Sequence, residues 1–276
     1  MFNLLEKGPF DCGETPLWDE QSGSVIWVDA SSNMIYSREI DSGRLKSYNT
    51  GLPVSAIRKA EDGNFYLLTK WGLYLWSRRG SGIVIGGRDF LDSGDTLRFN
   101  DGVPLAGAGF IAGTFDEADL SNDRGAFYRI NLNGGFEVLD TGLHVTNGIA
   151  EDSYGNYYLS EMYRNRILRY EVSADGSVGE RIVHIEFNDD EGKPDGLLCD
   201  KDDNLWVAHW LGWKLSCWSR DGERLREVRA PIASPTCFCF ADSEEKSLYV
   251  TTATLELTEG DFKKGPDAGA LFRLDL

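Results

Sequence analysis

The chain has 276 residues, 41% hydrophobic and 12% aromatic, so it is long and apolar enough to bury a full core. Its 45 acidic and 28 basic residues give a net charge of −17, which repels nucleic acid and anionic membrane surfaces at long range. No apolar stretch approaches the roughly 18 residues needed to span a bilayer, and the start lacks the basic and apolar regions of a signal peptide, so we expect a cytoplasmic protein.

Six short apolar runs, each entered through a polar turn, recur along the chain. They are VIWVDA, FYLLTK, FIAGTF, YYLSEM, LWVAHW and LYVTTA, starting at Val25, Phe65, Phe110, Tyr157, Leu205 and Leu248. Their starts are 40, 45, 47, 48 and 43 residues apart, which is typical of one four-stranded propeller blade per repeat. The pattern predicts an all-β, six-bladed β-propeller that occupies residues 1–276 as a single domain.

The last repeat differs from the others because the chain ends before its final turn. A second turn follows each of the first five runs, whereas the sixth repeat stops at Leu276. We predict that the segment around Phe2 to Leu5 supplies the missing outer strand and closes the ring. Closure leaves only short, protected strand edges.

A polar residue also recurs at one position of the repeat. It stands ten residues before a run at Asn100, Asn147 and Asp195, and Glu14 lies eleven before Val25. Turn chemistry is an alternative explanation, because Asn-Gly and Asp-Gly are favoured turn pairs. However, each repeat already has a hairpin turn after this position. The second and sixth repeats hold Ser55 and Phe238 there, so the blade does not dictate the residue.

In a propeller, this position lies at the start of an inner strand, beside the central axis. Glu14, Asn147 and Asp195 would there bring together two carboxylates and an amide carbonyl, an oxygen set suited to Ca²⁺, Mg²⁺ or Mn²⁺. Without a cation the two carboxylates would repel each other. Three protein ligands leave positions open for water and substrate, as in catalytic metal sites.

Common enzyme motifs are missing from the sequence. It contains no G-x-S-x-G elbow, Walker loop or H-E-x-x-H pair, and GAGFIAG at 107–113 has the wrong glycine spacing for a dinucleotide fingerprint. These absences argue against a serine hydrolase and a nicotinamide enzyme.

Four segments carry a family resemblance: CGETPLWDE (12–20), LRFNDG (97–102), TNGIAEDSYGNYYLSE (146–161) and KPDGLLCDKDDNLWVAHWLGWKL (193–215). They resemble the SMP-30/gluconolactonase/luciferin-regenerating enzyme family, the regucalcin-like sugar lactonases, from about Gly8 to the end. The resemblance implies a six-bladed propeller with one divalent cation in its channel, which hydrolyses a sugar lactone to the aldonic acid. It leaves the metal open among Ca, Zn, Mn, Mg and Fe.

The resemblance also implies roles for individual residues. Glu14, Asn147 and Asp195 match the family's metal ligands, and Arg98 and Asn100 match the substrate-binding residues of its R-x-N-D-G motif. After that motif the family pattern D-P-A-G-R is replaced by VPLAGAGF.

Further candidates for contact with the substrate come from two other segments. Glu117 corresponds to a substrate-facing glutamate of some relatives, although Ala118 aligns there equally well. His209 and Trp210, on the strand after Asp195, are candidates for a wall of the substrate site. Packing between blades is the alternative for such aromatic residues.

The expected chemistry is attack of water on a carbonyl polarised by the metal. Either Asp195 takes the proton from the water, or it orients a metal-bound hydroxide. Two alternatives remain: a non-catalytic metal-binding propeller scaffold, and a metal-dependent hydrolase of other esters. We expect a monomer whose partner is a small-molecule lactone.

Overall fold

The computed structural model describes residues 1–60, 63–79, 82–105, 109–131, 135–173 and 176–276. Within these ranges, 24 strands form six four-stranded antiparallel sheets, the blades of a β-propeller. This confirms the predicted fold class. Helical structure includes α1 (Glu259–Lys264) and the 3₁₀ turns Met162–Arg164 and Asp189–Glu191.

The strands of each blade follow one another in the chain, except in the last. Blade 1 contains β2 (Gly13–Asp19), β3 (Ser24–Asp29), β4 (Met34–Glu39) and β5 (Leu45–Asn49). Blade 2 contains β6 (Val54–Lys59), β7 (Phe65–Thr69), β8 (Gly72–Ser77) and β9 (Ile83–Asp89). Blade 3 contains β10 (Leu97–Leu105), β11 (Gly109–Asp116), β12 (Gly125–Asn131) and β13 (Phe136–Leu143).

Blade 4 contains β14 (Thr146–Glu151), β15 (Tyr157–Glu161), β16 (Arg166–Tyr170) and β17 (Ile182–Glu186). Blade 5 contains β18 (Lys193–Cys199), β19 (Leu205–Trp210), β20 (Lys214–Trp218) and β21 (Arg224–Arg229). Blade 6 contains β22 (Pro235–Phe240), β23 (Ser247–Thr252), β24 (Leu271–Asp275) and the N-terminal β1 (Phe2–Glu6).

The core consists of six apolar layers, one between each pair of neighbouring blades. Side chains alternate between the two faces of a strand, so the second strand of a blade serves both layers. In β19, Val207 packs towards blade 4, while Trp206 and Ala208 pack towards blade 6. This double burial explains why the second strands read as continuous apolar runs.

The first strand of each blade contacts the first strands of both neighbouring blades, in the cyclic order β2, β6, β10, β14, β18 and β22. These six strands therefore surround the central channel. We call the end at which they begin the upper end. The second strands finish at the same end, because each pairs antiparallel with the first strand of its blade.

The N-terminal strand closes the ring, as the sequence predicts. β1 pairs with β24, with Phe2 opposite Leu274 and Leu4 opposite Phe272. The rings of Phe2 and Phe272 meet edge to face, with centroids 6.0 Å apart. Leu5 packs against the apolar layer between blades 6 and 1.

Deleting residues 1–6 is expected to lower the free energy of unfolding by at least about 2 kcal/mol, because the partly buried Phe2 and Leu5 lose their packing. It also exposes the edge of β24, which favours aggregation. Urea unfolding of the full and shortened chains measures the effect. Leu4→Ala is the control, since Leu4 is 39% exposed and should change stability by less than about 0.5 kcal/mol. Equal stability of the two chains would contradict closure by β1.

No helix in the described ranges has the length and apolar character that crossing a membrane would require.

Candidate functional site

Every innermost strand has a β-bulge or similar irregularity close to its upper end. The pairing register shifts between Glu14 and Leu17 in β2, and at the corresponding places in β6, β10, β14, β18 and β22. Bulges re-aim side chains and interrupt the regular ladder. The recurring polar position coincides with this irregularity in β2, β10, β14 and β18.

The glycines that follow the polar position permit close packing of neighbouring inner strands. A Cβ atom on Gly148 would lie 2.3 Å from the main-chain nitrogen of Leu197, and one on Gly196 would lie 2.7 Å from the carbonyl oxygen of Thr236. Both glycines lie within strands, and neither has a positive φ. The Asn-Gly and Asp-Gly pairs of β14 and β18 are therefore not turn pairs.

Asp195 lies at the centre of a buried acidic group. Its side chain is fully buried, and neither carboxylate oxygen has a hydrogen-bond partner at normal length. Burial and the carboxylates of Glu14 and Asp101 raise the pKa of Asp195 well above its ordinary value. The side-chain amide of Asn147 lies beside this carboxylate and lowers its pKa. The Asn147 amide nitrogen also donates to Met162 Sδ, at 3.7 Å.

Glu14 shares this environment although it is less deeply buried. Burial and Asp101 raise the pKa of Glu14 to about 8, while the N–H of Thr15 and the guanidinium of Arg58 act to lower it. The fold thus brings Glu14, Asn147 and Asp195 together from blades 1, 4 and 5.

These residues fit a divalent cation. Two buried carboxylate oxygens without a donor cost free energy, and a cation would satisfy both of them. Among the residues that the structure describes, no group of three or more His, Cys, Asp and Glu side chains is arranged to hold a metal. The predicted set is of another kind, since it combines two carboxylates with an amide.

Thr15 holds the residue before it in place. Its main-chain N–H donates to Glu14 Oε2 at 3.3 Å, and its hydroxyl oxygen accepts the N–H of Ile57 in blade 2 at 2.9 Å. Its φ is 45°, a left-handed conformation that costs a β-branched residue about 1–3 kcal/mol. The contact with blade 2 supports this strained backbone next to Glu14.

Arg98 and Glu117 lie at the upper end of blade 3 and contact each other. Arg98 Nη1 lies 3.2 Å from Glu117 Oε2, and the guanidinium stacks over Phe115 with its Cζ 4.8 Å from the ring centroid. Arg98 Nε is buried without a hydrogen-bond partner. Burial, Glu14 and Asp195 raise the pKa of Cys12 and Arg98 lowers it, so Cys12 lies near both Arg98 and the acidic group.

Asn100 bridges two blades, since its amide nitrogen donates to the carbonyl oxygen of Thr146, next to Asn147, at 2.9 Å. Lys70 of blade 2 was not predicted from the sequence, yet its Nζ lies 2.8 Å from Glu117 Oε2. Nothing in the sequence links these two residues, because they belong to different blades.

His209 lies within blade 5. Its Nδ1 is 3.0 Å from the carbonyl oxygen of Glu191, and its Nε2 is 2.7 Å from Ser216 Oγ. Burial lowers the pKa of His209 to about 3, so the ring is neutral at physiological pH. Both ring nitrogens are used by the protein, which leaves neither to contact a substrate.

Trp210 is buried in an apolar cluster at the upper end, to which blades 3 to 6 contribute. The cluster contains Phe115, Val145, Met162, Trp210 and Ala253. Trp210 Nε1 donates to Glu256 Oε2 at 3.1 Å. Because Phe115 also lies beneath Arg98, Trp210 belongs to the apolar support of this end.

The fold and site define a six-bladed propeller with a buried group of carboxylate and amide side chains at one end of its channel. The SMP-30/Gluconolactonase/LRE-like region matches residues 12–254, and the chain belongs to this family.

Similar proteins cover most of the chain. The pentonolactonase XacC of Haloferax volcanii is 28% identical over 274 residues, which cover 96% of this chain and 90% of that protein. Regucalcin of Danio rerio is 26% identical over 272 residues, covering 96% and 90%. The crystal structure of a calcium-binding regucalcin from Agrobacterium tumefaciens has the same fold, with a TM-score of 0.86 at 23% identity over 98% of this chain and 92% of the other.

Proposed function

We propose that the protein hydrolyses a sugar lactone to the aldonic acid, with one divalent cation held by Glu14, Asn147 and Asp195. The observation that carries this proposal is the fully buried carboxylate of Asp195, which lies beside Glu14 and has no donor at normal hydrogen-bond length to either oxygen. Membership of the SMP-30/Gluconolactonase/LRE-like family and the similarity to a pentonolactonase over 96% of this chain support the substrate class.

When bound, the cation would polarise the ester carbonyl and lower the pKa of water in the site. Oxygen ligands admit Ca, Zn, Mn, Mg or Fe. Asp195 orients the attacking water and accepts its proton, because its buried carboxylate oxygens are not held by protein donors at normal hydrogen-bond length. Glu14 and Asn147 contribute the remaining protein oxygens.

Arg98, Asn100 and Glu117 position the substrate in this proposal. Glu117 is exposed, and its ion pair with Arg98 is partly open to solvent, so both residues can exchange this contact for substrate hydroxyls. Asn100 donates to blade 4 and keeps its amide oxygen for a substrate donor. Trp210 supports this surface from below and does not carry hydrogen bonds to the substrate. A cytoplasmic location and a monomeric state remain predictions from the sequence.

The test is a screen of five- and six-membered aldonolactones of pentonic and hexonic acids, with each of the five cations and with chelator. We expect cation-dependent acid release from at least one lactone, measured by pH-stat titration. Folded protein that binds a cation but hydrolyses no lactone would overturn the proposal. An arm with phosphotriesters and aryl esters then separates a hydrolase of other esters from a scaffold without activity.

Arg98→Met is expected to lower kcat/KM by about 10- to 100-fold, because a charged hydrogen bond to the substrate is lost. Most of the change should appear in KM if Arg98 binds the substrate and the transition state equally. Initial rates at saturating cation measure both constants.

Arg129→Met is the matched control, since Arg129 pairs with Glu137 between the outer two strands of the same blade, 3.1 Å apart. It should keep both kinetic constants. Unchanged kinetics in Arg98→Met would remove Arg98 from the substrate site.

A further inference from the structure

We propose that Arg58 and Asp101 set the formal charge of the metal site at −2, so that the site selects a divalent cation. This role rests on the metal site proposed above. Neither residue is a ligand in that proposal, and each acts through the charge that it adds next to the ligands.

The two residues form a close ion pair across two blades. Arg58 Nη2 lies 2.6 Å from Asp101 Oδ1, and the side chains are 17% and 4% exposed. The same Asp101 oxygen accepts the N–H of Gly102 at 2.7 Å, and Arg58 Nη1 donates to the carbonyl oxygen of Ile57 at 3.1 Å. Both residues lie on innermost strands, β6 and β10.

The ion pair lies next to the proposed ligands. Ile57, the neighbour of Arg58, donates its N–H to Thr15, which in turn donates to Glu14. Asp101 raises the pKa of both Glu14 and Asp195, and Arg58 lowers that of Glu14. The contacts and the electrostatic effects therefore agree that the pair is beside the acidic group.

The formal charges of these four residues determine the charge of the cation that balances the site. Glu14, Asp195 and Asp101 are carboxylates and Arg58 is a guanidinium, so their formal charges combine to −2. Uncompensated charge in a buried site is costly, and a divalent cation cancels this charge. Arg98, Lys70 and Glu117 are left out of this sum, because they form a separate ion-pair cluster at the upper end in which all three side chains are partly exposed to solvent.

The test measures cation affinity of the full chain by calorimetry, with Mn²⁺ as the divalent probe and La³⁺ as the trivalent probe. Asp101→Asn leaves Arg58 unbalanced next to Glu14 and is expected to weaken Mn²⁺ binding by about 10- to 100-fold. Arg58→Met makes the site more negative and should shift preference towards La³⁺ by at least about 10-fold. The double variant R58M/D101N returns the formal charge to −2 and should bind Mn²⁺ nearly as tightly as the wild type.

Arg78→Met is the matched control, because Arg78 and Asp19 form a similarly buried ion pair at 2.7 Å. Asp19 lies five residues beyond Glu14 on the same strand, roughly 16 Å away at the usual rise per residue. This variant should keep the wild-type affinity for both probes.

Unchanged Mn²⁺ affinity in Asp101→Asn would overturn the proposal, as would a double variant no tighter than Asp101→Asn. If the single variants fail to fold, the double variant, which buries no unpaired charge at these positions, decides alone: wild-type affinity supports the proposal, and a large loss overturns it. A wild-type chain that binds no divalent cation overturns the proposed function itself.

Discussion

Asp195→Asn is expected to lower kcat/KM by at least about 1,000-fold, because it removes both the proposed general base and a charged ligand of the cation. Initial rates on the best lactone of the screen, at saturating cation, measure the loss. The same change should preserve or raise the melting temperature of the cation-free protein. The Asp195 side chain is buried beside the carboxylates of Glu14 and Asp101, which raise its pKa. An uncharged asparagine removes the repulsion between these carboxylates, so the cation-free protein loses no stability.

Asp200→Asn is the control for this prediction. Asp200 directly follows the far end of the same strand, β18, and accepts the N–H groups of Asp202 and Asn204. Its replacement should lower stability and leave kcat/KM unchanged. If Asp195→Asn keeps activity within about 10-fold of the wild type, Asp195 is not the base.

Removing the cation is expected to make the stability of the protein depend strongly on pH. The pKa of Glu14 in the folded, cation-free chain is about 8, against an ordinary value of 4.5. Below about pH 4.5 Glu14 is protonated in both the folded and the unfolded chain, so burial of its carboxyl costs little. Between about pH 4.5 and 8 the unfolded chain releases this proton first, so the free energy of unfolding falls as the pH rises.

Asp195 acts in the same direction, because its pKa is also raised. A bound cation replaces the proton, so it should stabilise the protein more at pH 8 than at pH 5. At about 100 times its dissociation constant, a cation adds about 2.7 kcal/mol. Urea unfolding across this pH range, with chelator and with excess Mn²⁺, measures the difference.

The variant Glu14→Gln should reduce the pH dependence in chelator, since it lacks one of the two carboxyl groups whose pKa is raised. Thr15→Ala keeps the Glu14 carboxyl group, so the pH dependence of its stability in chelator should remain and serves as the comparison. If the free energy of unfolding of the wild-type chain in chelator does not change between pH 5 and pH 8, the raised pKa values of the buried carboxyl groups are contradicted.

The repeat was readable from the sequence because propeller blades bury their second strands on both faces. The runs at Val25, Phe65, Phe110, Tyr157, Leu205 and Leu248 all fall in the second strands of blades. The missing outer strand of blade 6 was readable for a similar reason, since a turn was absent at the end of the chain. β1 occupies that place.

Because these strands are buried on both faces, the sequence does not predict which face of the strand a given side chain occupies. His209 was a candidate for the wall of the substrate site. The apolar residues that surround it in the sequence do not indicate towards which neighbour its side chain points. The structure places both of its ring nitrogens against Glu191 and Ser216. The glycines after Asn147 and Asp195 were open to a turn interpretation, whereas their reason is contact between inner strands.

The order of residues along the chain thus contains the blade repeat, the ring closure and the polar position shared by Glu14, Asn147 and Asp195, because each depends on local periodicity. The pairing of Arg58 with Asp101 and of Lys70 with Glu117 depends on the folded structure. These partners are 43 and 47 residues apart in the chain. No local sequence pattern predicts which side chains of neighbouring blades form ion pairs. The charge that surrounds the proposed cation site is therefore a product of how neighbouring blades pack.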